Sequence, residues 1–214
     1  MYIHNIDPIL IDLGFLEIRW YSLAYIFGII IGWWLGKKIL GFKIKYLKVS
    51  LKKEIFDDLI TYLIISIIAG GRLGYVIFYN LNYYMNNPIS IFKIWEGGMS
   101  FHGAVVGVII GTWWFAKQNK TNFFLFTDII AIVAPVGIFF GRLANFINSE
   151  LYGQPTNIYW SVIFPKIDNI SRHPSQLYEA FLEGLLLFII LLPFGFSKKN
   201  INGLSSSLFL ILYG

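Results

Sequence analysis

Residues Gly141 to Gly153 read GRLANFINSELYG, and they close a strongly apolar run with Arg142, Asn145, Asn148 and Glu150. Steps of three and four residues return to one side of a helix, so the spacing predicts Arg142, Asn145, Ser149 and Tyr152 on a single face. Ionisable groups at membrane depth usually face a bundle interior or a water-filled cavity, which makes that face a candidate functional site.

Composition explains why a membrane is the relevant solvent. Of 214 residues, 57% are hydrophobic and only 14% charged, against roughly 25% charged in an ordinary soluble domain. The seven Trp and 13 Tyr suit the aromatic belts at the two bilayer surfaces. A net charge of +5 fits either nucleic acid or anionic lipid, and the apolar content selects membrane lipid and argues against nucleic acid. Cysteine is absent, which removes disulfides, thiolate metal sites and a cysteine nucleophile. Residues 1 to 20 carry Asp7, Asp12 and Glu17 and lack the basic start and apolar centre of a cleavable leader. They read as an interfacial segment.

Spans are expected at about 21–40, 55–78, 101–116, 126–146 and 175–194, near the roughly 20 residues a bilayer crossing needs. A further apolar run over 204–214 gives only about 16 Å of helix. It reads as the start of another span in a C-terminally truncated chain. Between the first two spans lie seven lysines, at 37, 38, 43, 45, 48, 52 and 53. Alternating the loops puts Lys117, Lys120, Lys198 and Lys199 on that same side, and Arg19, Lys93, Lys166 and Arg172 opposite. The positive-inside rule then places the N-terminus, the loop 80–100 and the loop 147–174 outside. The fold expected is all-α: a polytopic transmembrane helix bundle forming one membrane-embedded domain over 1–214, with a small external, periplasmic loop subdomain at about 147–174. Tyr159 to Phe164 in that loop reads as a short strand or an interfacial patch. Gly28, Gly32 and Gly36, and again Gly103, Gly107 and Gly111, repeat every four residues as close-packing stripes do.

Three further clusters fall on the outer half. His102 opens the third span, where it is either a satisfied helix-end residue or, with a side-chain pKa near 6.5, a general base. Arg72 lies among small residues and is either half of an ion pair with Glu179 or Glu183 or a fork for a phosphate. Gln176, Glu179 and Glu183 form a polar stripe for which Arg142 or Arg72 is the expected counterion. Glu96 reads as a solvated loop charge. No phosphate-binding Gly-Lys-Ser loop, His-rich metal spacing or GxSxG turn occurs. From these residues alone an anion channel or transporter, or a phospholipid-processing enzyme with some other acceptor, remains open.

GRLANFINSELYG, together with GGRLGYV (70–76), WEGGMSFHG (95–103) and RHPSQLYEA (172–180) in the same order, closely resembles the signature of the prolipoprotein diacylglyceryl transferase family. The resemblance covers nearly the whole chain. It implies a bacterial inner-membrane transferase of lipoprotein biosynthesis, multi-pass with the N-terminus outside. Such an enzyme moves the diacylglyceryl group of phosphatidylglycerol onto the lipobox cysteine of a prolipoprotein signal peptide and releases glycerol phosphate. No metal or organic cofactor is implied. Essential roles are implied for His102, Arg142, Asn145 and Gly153, and supporting roles for Tyr25, Asn148 and Glu150. In the mechanism expected, His102, Arg142 and Glu150 serve the chemistry. Arg142, Asn145, Asn148, Gly153, Tyr25 and Arg72 contact the lipid. The family pattern continues past a Tyr-Gly like Tyr213-Gly214 into a loop with another essential arginine and a final span, so a chain ending there is expected to be inactive alone.

Overall fold

Among the described residues, four helical stretches in the computed structural model are long and apolar enough to cross a membrane: Trp20–Leu47, Ile55–Tyr79, Phe123–Ile147 and Ser175–Gly195. The structure describes residues 1–15, 17–47, 50–199 and 201–214. In order, the helices are α1 (Trp20–Leu47), α2 (Ile55–Tyr79), α3 (Leu81–Asn86), α4 (Phe101–Gln118), α5 (Phe123–Ile147), α6 (Ser175–Glu179), a π-helical stretch (Ala180–Leu186), α7 (Leu187–Gly195) and α8 (Leu204–Tyr213). The expected span 101–116 is helical as α4, yet α4 does not count among the four. It lies against α2.

α1 runs seven residues beyond the expected end of the first span, because Lys43 is held inside the protein. Its Nζ donates to the carbonyls of Phe194 (3.0 Å) and Ser197 (3.1 Å), where the last carbonyls of α7 favour a cation. Lys48 lies outside the described residues. Glu96 is exposed and sits 3.3 Å from Lys93 Nζ.

Both glycine stripes pack helices. A Cβ on Gly74 would lie 2.7 Å from Gly103 Cα, and one on Gly70 would lie 2.9 Å from Gly107 Cα, so α2 and α4 touch backbone to backbone. In α1, a Cβ on Gly28 would be 3.2 Å from Gly137 Cα, and Gly36 leaves room for the Phe56 ring. The buried apolar core sits in the half of the bundle nearer the lysines, built from Ile39 and Leu40 of α1, Phe56 and Leu59 of α2, Phe115 of α4, Phe126 and Ile132 of α5, and Leu191 of α7. Asp128 caps α8 from α5, accepting from the Gly203 and Ser206 amides at 2.9 Å each and from Ser206 Oγ at 2.8 Å.

At the opposite end, the N-terminal segment is part of a small sheet. Strand β1 (Tyr2–Ile3) pairs in parallel with β4 (Val162–Ile163), which pairs antiparallel with β5 (Ser171–Arg172). β2 (Ile9–Asp12) and β3 (Glu17–Arg19) form a hairpin leading into α1. The stretch Tyr159 to Phe164 thus contains a strand, and residues 1–3 join the loop 147–174.

Packing of α2 on α4 yields a direct expectation. Gly74→Leu forces the helices apart, and overpacking of this kind costs about 1–3 kcal/mol; denaturant unfolding in detergent micelles measures the loss.

Candidate functional site

α5 ends at Ile147, earlier than the helical-face reading required. Ser149 and Leu151 adopt φ of 59° and 51°, a left-handed conformation that is costly for side-chain-bearing residues. Ser149 and Tyr152 therefore leave the face of Arg142 and Asn145. The turn is held from three sides. Ser149 is buried with its Oγ 3.3 Å from His4 Nδ1. The fully buried Gln176 donates to the Glu150 carbonyl at 2.6 Å. Gly153 donates its amide to the His173 carbonyl at 3.0 Å.

Gly153 has to be glycine at this contact. An added Cβ would lie 2.8 Å from both the Cβ and the carbonyl oxygen of His173, and it would run into Ser175 Oγ. The signature stretch and the RHPSQLYEA stretch are thereby pressed backbone to backbone. Arg172 secures the same junction: it pairs with Asp168 at 2.5 Å and lies 4.9 Å over the Tyr152 ring. The Arg172 guanidinium, then the Ile170 amide, hold the Asp168 carboxyl below its ordinary range.

The two arginines within spans have opposite fates. Arg72 is buried and donates all five N–H groups to backbone carbonyls: Nε to Ile91 (2.9 Å), Nη1 to Gly97 and to Gly98 (3.2 Å), Nη2 to Ser90 (2.7 Å) and Lys93 (3.1 Å). Its plane covers Tyr84 at 5.2 Å. No donor is left for a phosphate, and Glu179 and Glu183 are not its partners. Arg72 instead ties the segment 90–98 to α2.

Arg142 is the counterion of that glutamate stripe. Nη2 donates to Glu183 Oε2 at 3.3 Å, and Nη1 lies 2.8 Å from Glu179 Oε2, although that oxygen accepts no aligned hydrogen bond. The π-helical stretch Ala180–Leu186 starts just after Glu179 and contains Glu183; such stretches often occur at functional sites. Gly184 within it abuts Phe139 of α5, where a Cβ would lie 2.7 Å from the Phe139 Cβ. Arg142 is thus charge-balanced while most of its N–H groups stay uncommitted.

Arg142 lines a cavity of about 390 Å³ with Tyr21, Tyr25, Phe101, Gly141, Asn145 and Tyr213. Asn145 is buried and donates to the Tyr21 hydroxyl (2.8 Å) and to Glu150 Oε2 (3.2 Å). The structure therefore gathers Arg142, Asn145 and Tyr25 around one space and joins Glu150 to it through Asn145. It leaves the others at a distance. Asn148 bonds the Ala144 carbonyl at 2.8 Å as the C-cap of α5, and Gly153 belongs to the loop junction. His102 is exposed at the start of α4, edge-on to Phe101, which itself lines the cavity. Tyr21 escaped the sequence reading; its one signal is a position four residues before Tyr25. Among the described residues, no group of three His, Asp or Glu side chains is placed to hold a metal ion.

Fold and site together define a multi-pass membrane protein with a cavity lined by an arginine, an asparagine and tyrosines at one end of its helix bundle. The model of the prolipoprotein diacylglyceryl transferase family matches residues 8–214, and the chain belongs to that family. It is 52% identical over 211 residues to the phosphatidylglycerol–prolipoprotein diacylglyceryl transferase of Rickettsia felis, covering 98% of this chain and 80% of that protein. The namesake of Rickettsia bellii is also 52% identical, over 98% of this chain and 79% of its own. That of Rickettsia rickettsii is 50% identical over 98% and 80%.

Two expectations follow. Gly153→Ala lowers stability by about 1–3 kcal/mol through its backbone clash, whereas Gly141→Ala, whose Cβ meets nothing within 4 Å, does not; thermal unfolding separates them. Burial, then the Lys166 charge, pushes the His4 pKa below its usual value, so the unfolded chain takes up the proton first as pH falls below about 6.5. Protection of the Tyr2 and His4 amides, which bond Ser161 and Ile163 at 2.9 Å, should drop as pH falls through that range. The pH dependence should flatten in His4→Gln, as read by hydrogen exchange.

Proposed function

We propose that the protein transfers the diacylglyceryl group of phosphatidylglycerol to the cysteine thiol of a prolipoprotein's lipobox, the first step of bacterial lipoprotein maturation. The single observation that supports this reading best is the contrast between the arginines: Arg72 is saturated, and Arg142 faces a cavity with donors in reserve. A guanidinium so placed matches a phosphate through paired hydrogen bonds. Glu179 and Glu183 hold it in position without filling its fork.

In this reading the lipid phosphate lies at Arg142, with Tyr25 and Asn145 beside the headgroup. The cysteine sulfur attacks the glycerol carbon bearing the phosphate; the S–C bond forms as the C–O bond breaks. The electron pair leaves with glycerol phosphate, whose growing charge Arg142 stabilises. A cysteine thiol has a pKa near 8.5, so a base assists by taking its proton. His102 is assigned that role, next to the cavity-lining Phe101. Glu150 orients Asn145 through their hydrogen bond, while Asn148 and Gly153 fix the turn that carries Glu150. Arg72 acts as a scaffold residue. The bundle sits in the bacterial inner membrane with its lysine-rich end in the cytoplasm and the N-terminal strand outside, following the positive-inside rule.

A transfer assay with labelled phosphatidylglycerol and a lipobox peptide tests this assignment. Arg142→Lys keeps a charge for the two glutamates but loses the fork, and should lower kcat/KM by about 10²-fold or more. Unchanged transfer in that variant would sink the role given to Arg142.

A further inference from the structure

A second cavity, of about 350 Å³, lies between α1, α2 and α5, within the range of small-molecule sites. Its walls are almost wholly apolar, with Ile29, Ile64, Ile67 and Val133 among them, and Tyr25 borders both this crevice and the Arg142 cavity. The two spaces also share a helix face. Val133 and Gly137 line the crevice and Gly141 lines the Arg142 cavity, at intervals of four residues that keep them on one side of α5.

Gly28 and Gly32 line the crevice as well, but Gly137 and Gly141 differ from the glycines that pack helices. A Cβ on Gly137 or Gly141 would meet no atom within 4 Å, whereas one on Gly28 or Gly74 would press on a neighbouring backbone. Glycine is a poor helix former, and packing does not require it at 137. What it maintains is open space. The far end of the crevice is lined by Trp33, whose Nε1 donates to Asp57 Oδ1 at 2.6 Å while Asp57 pairs with Lys37 at 2.7 Å. Tyr25 to Trp33 spans about 12 Å of helix rise, within the hydrocarbon depth of one leaflet, about half of 30 Å.

We infer that this crevice holds one acyl chain of the lipid whose phosphate lies at Arg142, and that Gly137 determines how much chain it admits. The inference rests on the proposed function for the identity of that lipid. The occupant is argued from continuity: an apolar slot opening beside a phosphate-binding guanidinium has the two-part chemistry of a phospholipid, and hydrocarbon fills empty apolar space in a bilayer. Tyr25, at the junction, has an apolar ring for the chain and a hydroxyl for the headgroup.

The test uses the full chain in vesicles of phosphatidylglycerol that carry a diazirine midway along one acyl chain. Photo-crosslinks mapped by mass spectrometry should fall on Ile64, Ile67 or Val133 and drop about fivefold or more in Gly137→Leu, where the added side chain occupies the slot. In transfer assays the same variant should raise KM about tenfold for dioleoyl lipid and leave dioctanoyl lipid within about twofold. Ile67→Trp, which fills the slot from α2, provides the same readings if Gly137→Leu does not fold. Crosslinks confined to other faces, or equal in wild type and variant, overturn the inference, as does an equal KM change for both chain lengths. Crosslinking needs no turnover. Label in the crevice without transfer to the peptide, in the protein extended to the length of its relatives, contradicts the proposed function and leaves the acyl slot supported.

Discussion

A guanidinium within an apolar bundle has to be neutralised, and the half of the protein that holds the cavities follows from how Arg142 is neutralised. Taking a charge out of water costs several kcal/mol unless partners repay it. Here two carboxylates from one neighbouring helix do so, at 2.8 and 3.3 Å. The contact to Glu179 is misaligned and leaves N–H groups unspent. An arrangement optimised for stability would satisfy every donor, as Arg72 does. Arg142 is held in place and kept available, the condition a reversible anion site requires.

The rest of that end is concerned with fixing where Arg142 points. α5 has to stop one turn beyond it, which sends the chain through two left-handed residues. The backbone strain there is offset by contacts from sequence-distant parts: His4 from the N-terminus, Gln176 from α6, and the glycine contact at His173. Meanwhile the dense apolar core lies at the lysine end. Close-packed Phe, Leu and Ile thus gather toward one end of the bundle, and tyrosines, a glycine and the paired arginine surround the cavity toward the other. Asp128 extends this division to α8, anchoring its start on α5 so that Tyr213 arrives at the cavity wall.

Much of this was legible in the sequence. Helix positions agree with the apolar runs to within a few residues, apart from α1, whose extension depends on Lys43 finding carbonyls of α7 that no local pattern announces. The pairing of Arg142 with Glu179 and Glu183 was foreseeable because unpaired charges at membrane depth are too costly to leave alone. The fate of Arg72 was not, since its partners are main-chain carbonyls, which every residue has and no sequence distinguishes. For the same reason the π-helical stretch was invisible, its hydrogen bonds being backbone only. The shared helical face of Arg142, Asn145, Ser149 and Tyr152 held for its first pair and failed where the helix ended. Tyr21 was missed because an aromatic near a span end reads as belt. A two-residue strand such as β1 is too short for alternation to reveal.

That strand has a consequence for the order in which the protein is completed. Tyr2 and Ile3 pair with Val162 and Ile163, so β1 has no partner until about 160 further residues have been made. Three of the four long apolar helices, and α4, have to be inserted or threaded in between, and β1 and β4 have to emerge on the same side. The sheet therefore registers successful insertion: a bundle with one helix inverted or skipped strands the N-terminus away from its partner and leaves His4 in water. Pairing of β1 with β4 brings His4 against Ser149 in the turn before Glu150.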